Sequence, residues 1–171
     1  MKIALLCAAA LAAAAAIVTV IGWRLPVRHR AARESTYPIA RDSMFSLLTD
    51  VERFTEWRSG MKRVEARPAV DGRPRWLEAG GDGEILVELV QAVPGERLVT
   101  RIADPGLPFG GTWTYELADA ELANLTRGTR LRITEDGEVY NPIFRFMSRY
   151  VFGHSRTIER YLADLRTVAG S

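Results

Sequence analysis

Hydrophobic positions along the chain follow three successive rhythms. Residues 3–22 carry no charged side chain, and as a helix rising 1.5 Å per residue they would cover about 30 Å, the thickness of bilayer hydrocarbon. A short strand is expected at 35–39, then two brief helical stretches, one carrying Met44, Phe45, Leu47 and Leu48 and the other Phe54 and Trp57. Thr49-Asp50-Val51-Glu52 fits a capping box between them. The period then drops to two. Runs at 64–67, 75–79, 84–91, 97–102, 112–117 and 129–140 are separated by Gly, Pro and Asp, which makes about seven strands in all. Trp113, Tyr115 and Leu117 alternate with Thr112, Thr114 and Glu116, as an antiparallel sheet with one buried face requires.

The last rhythm is helical. Asn141 can cap the first turn and Pro142 suits the first helical position. Ile143, Met147, Tyr150, Val151, His154, Ile158, Tyr161, Leu162 and Leu165 then recur at three- and four-residue spacing. The spacing predicts one long amphipathic helix over about 142–168, with Met147, Tyr150, His154 and Ile158 turned toward the sheet. The order of elements predicts an α+β domain in which a curved antiparallel sheet wraps the last helix.

Charge divides unevenly along this layout. The whole chain is +2, yet residues 1–33 hold five basic groups and no acid, leaving 18 basic against 21 acidic side chains in the remainder. A body at −3 is a poor nucleic-acid binder, so no nucleic-acid partner is expected. Residues 24–33, basic and without apolar periodicity, read as a tether between the uncharged segment (1–23) and the domain (34–171).

The uncharged segment has two readings. Eight strong apolar residues at roughly −0.3 to −0.6 kcal/mol each favour insertion by about 2 to 5 kcal/mol, and Trp23 with the arginines behind it resembles an interfacial anchor. The competing reading is a cleaved signal peptide with Lys2 as its basic start and a small-residue site around Ala14 and Ala16. The anchor is preferred. Four arginines after the span against Lys2 and the terminal amine before it would place the domain on the cytoplasmic side of the cell membrane, as a single-pass protein. Cys7 is the only cysteine, so no intrachain disulfide can form.

Three segments carry a family resemblance: 47–57 (Leu-Leu-Thr-Asp-Val-Glu-Arg-Phe-Thr-Glu-Trp), 107–117 (Leu-Pro-Phe-Gly-Gly-Thr-Trp-Thr-Tyr-Glu-Leu) and Gly128-Thr129-Arg130-Leu131. Over roughly residues 34–166 the chain resembles the START-like, helix-grip superfamily labelled SRPBCC, which includes polyketide cyclases and dehydrases. The second segment is similar to a membrane-anchored subgroup. The resemblance implies an apolar cavity between sheet and helix for a lipid-like or polycyclic ligand. It implies no shared catalytic motif.

Candidate chemistry is sparse. His154 on the apolar helix face could bond a ligand or move a proton, against the plainer reading of a satisfied core histidine. Glu135 shares strand parity with Leu131 and Ile133 and should face the cavity unless Asp136-Gly137 forms a bulge. Trp57, Trp76, Phe109, Trp113, Tyr115, Phe146 and Tyr150 could line a pocket, although core packing accounts for most of such a set. Met147 belongs with them by helix position, and Leu107 by its place in a Pro-flanked loop that could gate or plug. The paired glycines at 80–81 and 110–111 read as turns, because no Lys-Ser or Lys-Thr follows them. Ser155 sits in helix without a nucleophile-elbow glycine pattern. No metal or cofactor is expected. The favoured expectation is a membrane-tethered domain that holds a hydrophobic ligand. The alternatives are a cyclase- or dehydrase-type enzyme using Glu135 and His154 as acid and base, and an interaction module with a filled core.

Overall fold

The computed structural model describes residues 2–81, 83–122, 127–153 and 155–170. Helix α1 (Lys2–Arg24) leads into strand β1 (Arg28–Tyr37), helix α2 (Arg41–Thr49), a 3₁₀ turn at Val51–Arg53 and helix α3 (Phe54–Trp57). Six strands follow: β2 (Met61–Val70), β3 (Arg73–Gly80), β4 (Gly83–Val93), β5 (Arg97–Ile102), β6 (Phe109–Glu121) and β7 (Arg127–Val139). The chain ends in α4 (Pro142–Met147), a π-helical turn (Ser148–Phe152) and α5 (Arg156–Ala169). The strands make one seven-stranded antiparallel sheet in the order β1-β7-β6-β5-β4-β3-β2. The α+β architecture expected from the periodicities is therefore the one the chain adopts.

The core lies where α5 crosses the inner face of the sheet. Ile158, Tyr161, Leu162, Leu165 and Ala169 of α5 are buried against Tyr37, Leu98, Tyr115, Leu117, Leu131 and Ile133 from the strands, with α2 and α3 closing the side through Met44, Leu48, Phe54 and Trp57. The helix is docked by a polar contact as well. The Tyr37 hydroxyl donates to the Leu162 carbonyl at 2.8 Å, so its buried O–H is satisfied.

The structure corrects three expectations. Residues 28–33, read as part of a flexible tether, form the first half of β1. Their outward arginines pair across the sheet with an acidic stripe on β7, Arg28 with Glu138 at 2.9 Å and Arg30 with Asp136 at 3.5 Å, so positions that look like a solvated basic run are cross-strand partners. The expected long final helix is interrupted. After α4 and the π turn, Gly153 has φ +74, a backbone conformation that glycine adopts readily and other residues rarely, and a separate helix, α5, begins at Arg156. The capping box does not form: the Thr49 hydroxyl donates back to the Phe45 carbonyl at 2.9 Å, and no side chain caps the next turn.

On the outer face, Glu88 is 1% exposed and is held by Arg75 at 2.7 Å and Arg101 at 2.9 Å, with Arg73 at 3.4 Å. Burial pushes its carboxyl up, but the hydrogen bonds and charges of Arg75 and Arg101 outweigh that and hold it below the usual carboxylate range. A group depressed in this way stabilises the fold above its unfolded pKa, and the contribution is lost as pH falls through the folded value.

Two outcomes follow for stability. Leu165→Ala, which empties a fully buried position under the sheet, should cost about 2 to 5 kcal/mol in chemical denaturation. Glu88→Gln leaves three guanidinium groups crowded without a counter-charge; it should lower the thermal midpoint at neutral pH and flatten the wild-type decline on acidification, both read by thermal unfolding scanned against pH.

Candidate ligand-binding site

Strand register sorts the inner face of the sheet. On β7 it carries Leu131, Ile133, Glu135 and Gly137; opposite them on β6 lie Leu117, Tyr115, Trp113 and Gly111, and on β1 Ser35, Arg33, Ala31 and His29. Pairing runs unbroken through Asp136 and Gly137, so Glu135 keeps the inward parity of Leu131 and Ile133. Burial dips in the middle of this face and returns at Gly137 and Val139. Leu131 and Ile133 are fully buried under α5, whereas Glu135, Trp113 and Ala31 are only half-buried, as are Ile102 and Ile85 on the neighbouring strands. The cause is the break at Gly153: α5 covers one half of the concave face, while α4 departs to pack on α1 and the end of β7.

Near the covered half lies a charged pair inside an aromatic cage. Arg58 donates to Glu78 at 2.8 Å, and the Trp76 indole N–H donates to the same carboxylate oxygen at 2.9 Å. The Arg58 guanidinium stands 4.9 Å from the Phe54 ring centre and 5.1 Å from that of Tyr161, a cation–π arrangement that suits a delocalised cation. Tyr161 in turn meets Trp57, Trp113 and Tyr115 at 5.2, 5.8 and 5.8 Å. Burial pushes the Tyr115 hydroxyl up to about 12 and that of Tyr161 well above its ordinary value, and the nearby Arg58 charge only partly opposes this. Both phenols are neutral at physiological pH and act as hydrogen-bonding groups, not bases. Arg58 itself is shifted upward, because the Glu78 charge and Tyr161 overcome a desolvation that acts the other way.

Toward the uncovered half sits a second polar pair. The His29 Nε2 lies 3.5 Å from the Glu135 Oε1, with both side chains about four-fifths buried. Gly137 makes room for the imidazole: a β-carbon there would come within 2.3 Å of the His29 ring. The Glu135 Oε2 and the Trp57 indole N–H are buried without a hydrogen-bond partner among the described residues, which leaves one acceptor and one donor unused in the interior. An open groove of about 470 Å³ lies at this end of the sheet; His29, Gly137 and Ile102 reach it, the outward-facing Arg28, Arg101, Asp136 and Glu138 line it as well, and Glu135 and Trp113 do not. It stops short of Arg58 and Glu78, which are enclosed by core side chains.

The residues singled out from sequence are distributed unequally around this site. Trp57, Trp76, Trp113, Tyr115 and Glu135 belong to it, and Phe109 shares the inner parity of β6 at the rim, beside the half-buried Leu107. Met147 is half-buried in α4, and Tyr150 is turned out at 60% exposure, its ring tilted against Phe146 at 5.0 Å. The expectation that Tyr150 faces the sheet fails because the helix breaks after it. His154 lies outside the described residues. Arg58, Glu78, Tyr161 and His29 were not proposed as site residues; for Glu78 a signal existed, since it shares the parity of Trp76 on a strand whose inner face is apolar. Among the described residues no three His, Cys, Asp or Glu side chains converge as a metal centre would require. The arrangement can bind an apolar body and orient a polar end by charge and hydrogen bonds.

No family model and no curated protein matches the sequence. Solved structures do match its fold. A START superfamily protein from Mycobacterium smegmatis superposes with a TM-score of 0.64 over 83% of this chain and 97% of its own, at 14% identity. The Zhui aromatase/cyclase from Streptomyces sp. R1128 gives 0.64 over 84% and 92%, at 14% identity. Norcoclaurine synthase from Thalictrum, solved with a transition-state analogue, gives 0.62 over 84% and 94%, at 6% identity. At such identities the likeness speaks for architecture: the chain has the START-like fold, an antiparallel sheet curved around a C-terminal helix.

Proposed function

We propose that this domain holds a hydrophobic molecule with a polar end against the half of the concave sheet that α5 leaves uncovered, and that α1 tethers it to a membrane. The observation that carries the reading is the gap in burial on the inner face, where Glu135, Trp113 and Ile102 are half-buried between Leu131 and Ile133 at zero exposure and the buried Gly137 and Val139. A filled core would bury both halves alike. Half-buried aromatic and aliphatic groups around a few convergent polar ones are the usual lining of a small-molecule site. His29 and Glu135 offer the polar end a donor and an acceptor. Zhui and norcoclaurine synthase, named for their activities, have the same architecture, which supports a cavity-based role for this face.

Membrane attachment rests on α1, which is long and apolar enough to cross a bilayer and has none of its most hydrophobic stretch buried by the rest of the protein. With Arg24, Arg28 and Arg30 following it and Lys2 before it, the domain is assigned to the cytoplasmic side. A proton-transfer role is the second reading, favoured by the proximity of His29 and Glu135. The expected pairing of Glu135 with His154 falls on a residue outside the described ones.

Native mass spectrometry of the full chain released from its own membrane should show a hydrophobic adduct that disappears on denaturation; a bare mass in repeated preparations would favour the filled core. Trp113→Ala should weaken binding of an environment-sensitive fatty-acid probe by up to about tenfold, the scale of one lost aromatic contact, and should also lower the thermal midpoint, because Trp113 packs on Tyr115 and Tyr161. Membrane fractions should retain the protein through an alkaline wash. Recovery of a soluble form beginning near Ile17 would establish the signal-peptide reading instead.

A further inference from the structure

The last two turns of α1 are not bare. Val18 and Thr19 are half-buried, and Gly22 is the one buried residue of this helix; α4 is the element packed against it. The approach is close enough to need glycine, since a β-carbon at position 22 would lie 1.9 Å from the Pro142 carbonyl oxygen. Arg145 locks the junction. Its guanidinium donates to the Gly22 and Leu25 carbonyls at 3.3 and 3.1 Å and to the Tyr140 carbonyl at 2.9 Å, supplying donors to backbone acceptors that a helix end leaves without helical partners.

While its inner side is so engaged, the α4 segment turns apolar side chains outward. Ile143, Phe144, Tyr150 and Val151 are 47%, 53%, 60% and 57% exposed. These are large groups on a short segment, well beyond a scattering of single surface apolar residues. Exposed Arg149 accompanies them, and Trp23 and Arg24 stand exposed on the adjoining turn of α1. Position decides the occupant. The covered stretch from Val18 to Leu25 spans about 10 Å along the helix, and it is the end of a candidate span marked by Trp23 and Arg24. Anything packed beside that stretch lies at the depth of the headgroup and upper acyl region, where amphipathic segments bury apolar groups about 5 to 10 Å deep and aromatic and cationic side chains gather.

We propose that α4 and the π turn form a second membrane contact, seating Ile143, Phe144, Tyr150 and Val151 in the headgroup layer of the leaflet from which α1 emerges. The inference rests on the reading of α1 as a span. It also fixes the orientation of the site, because the start of β1, the end of β7 and the start of β6 adjoin this junction: the Val139 N–H donates to the Val27 carbonyl at 2.9 Å and the Tyr140 N–H to the Pro108 carbonyl at 2.8 Å. The rim of the groove therefore faces the bilayer surface.

Lipid-quenching of a site-specific fluorophore tests this on the full chain. With Cys7→Ala as background, single cysteines at Ile17, Phe144, Val151 and, as an aqueous reference, the exposed Val70 at the end of β2 are labelled and reconstituted in vesicles of phosphatidylcholine with a minor share of phosphatidylglycerol. Brominated lipids should quench labels at 144 and 151 severalfold more than the label at 70, most strongly with bromine near the carbonyl end, and should quench position 17 most strongly with deep bromine. Quenching at 17 with 144 and 151 indistinguishable from 70 overturns the proposal and leaves the tether standing. No quenching at 17 removes the tether reading, and the proposal with it. Labels at 144 and 151 shielded from aqueous iodide but untouched by brominated lipid would show a protein partner or a second copy on this surface, and would equally overturn it.

Discussion

Burial of one face of α5 in the concave sheet is the interaction on which the rest of the molecule depends. Ile158, Leu162 and Leu165 fill the floor of the sheet, and the Tyr37 hydroxyl ties the helix backbone to β1. Once that half is satisfied, the chain preceding α5 is free to leave, and Gly153 at φ +74 is where it does. A continuous helix would have laid Met147 and Tyr150 across Trp113 and Glu135 and closed the concave face. The break instead sends α4 to α1. One backbone position thus links three features: a half-open inner face, an apolar segment on the outside, and a tight junction at Gly22.

The polar residues of the inner face fall into two groups with different physical characters. Arg58 and Glu78 neutralise each other between aromatic rings, with Trp76 adding a second hydrogen bond to the carboxylate; such a buried, balanced pair orients the groups around it more than it adds stability. His29 and Glu135 are nearer the rim, His29 reaches the open groove, and one Glu135 carboxylate oxygen is unused among the described residues. The first group belongs to the wall of the site. The second is the pair to which the proposed ligand's polar end is assigned.

Much of the architecture was legible in the chain because it depends on local periodicity. The alternation of Trp113, Tyr115 and Leu117 and the spacing of Ile158, Tyr161, Leu162 and Leu165 state directly which faces are buried. What was not legible depends on partners far along the chain. Arg28 and Arg30 look like a solvated run until Glu138 and Asp136 are brought opposite them, and His29, between two arginines, gives no local sign that Glu135 is its neighbour. The helix break had a local cue in Gly153, but the apolar spacing continues across it, and spacing alone cannot separate one helix from two that share a phase. Tyr161 was read correctly as a core residue; its place at the centre of four aromatic and cationic contacts needs the tertiary structure.

The central claim is that a ligand occupies the uncovered half of the inner face. Methyl-selective NMR of the full chain in deuterated-lipid nanodiscs, with a protonated long-chain fatty acid added, measures this most directly. Intermolecular NOEs from the acyl chain to the methyl groups of Ala31, Ile85 and Ile102, with none to Leu131 or Leu165, are the predicted result. NOEs confined to α1 methyl groups such as those of Ile17 and Val20 would contradict the account.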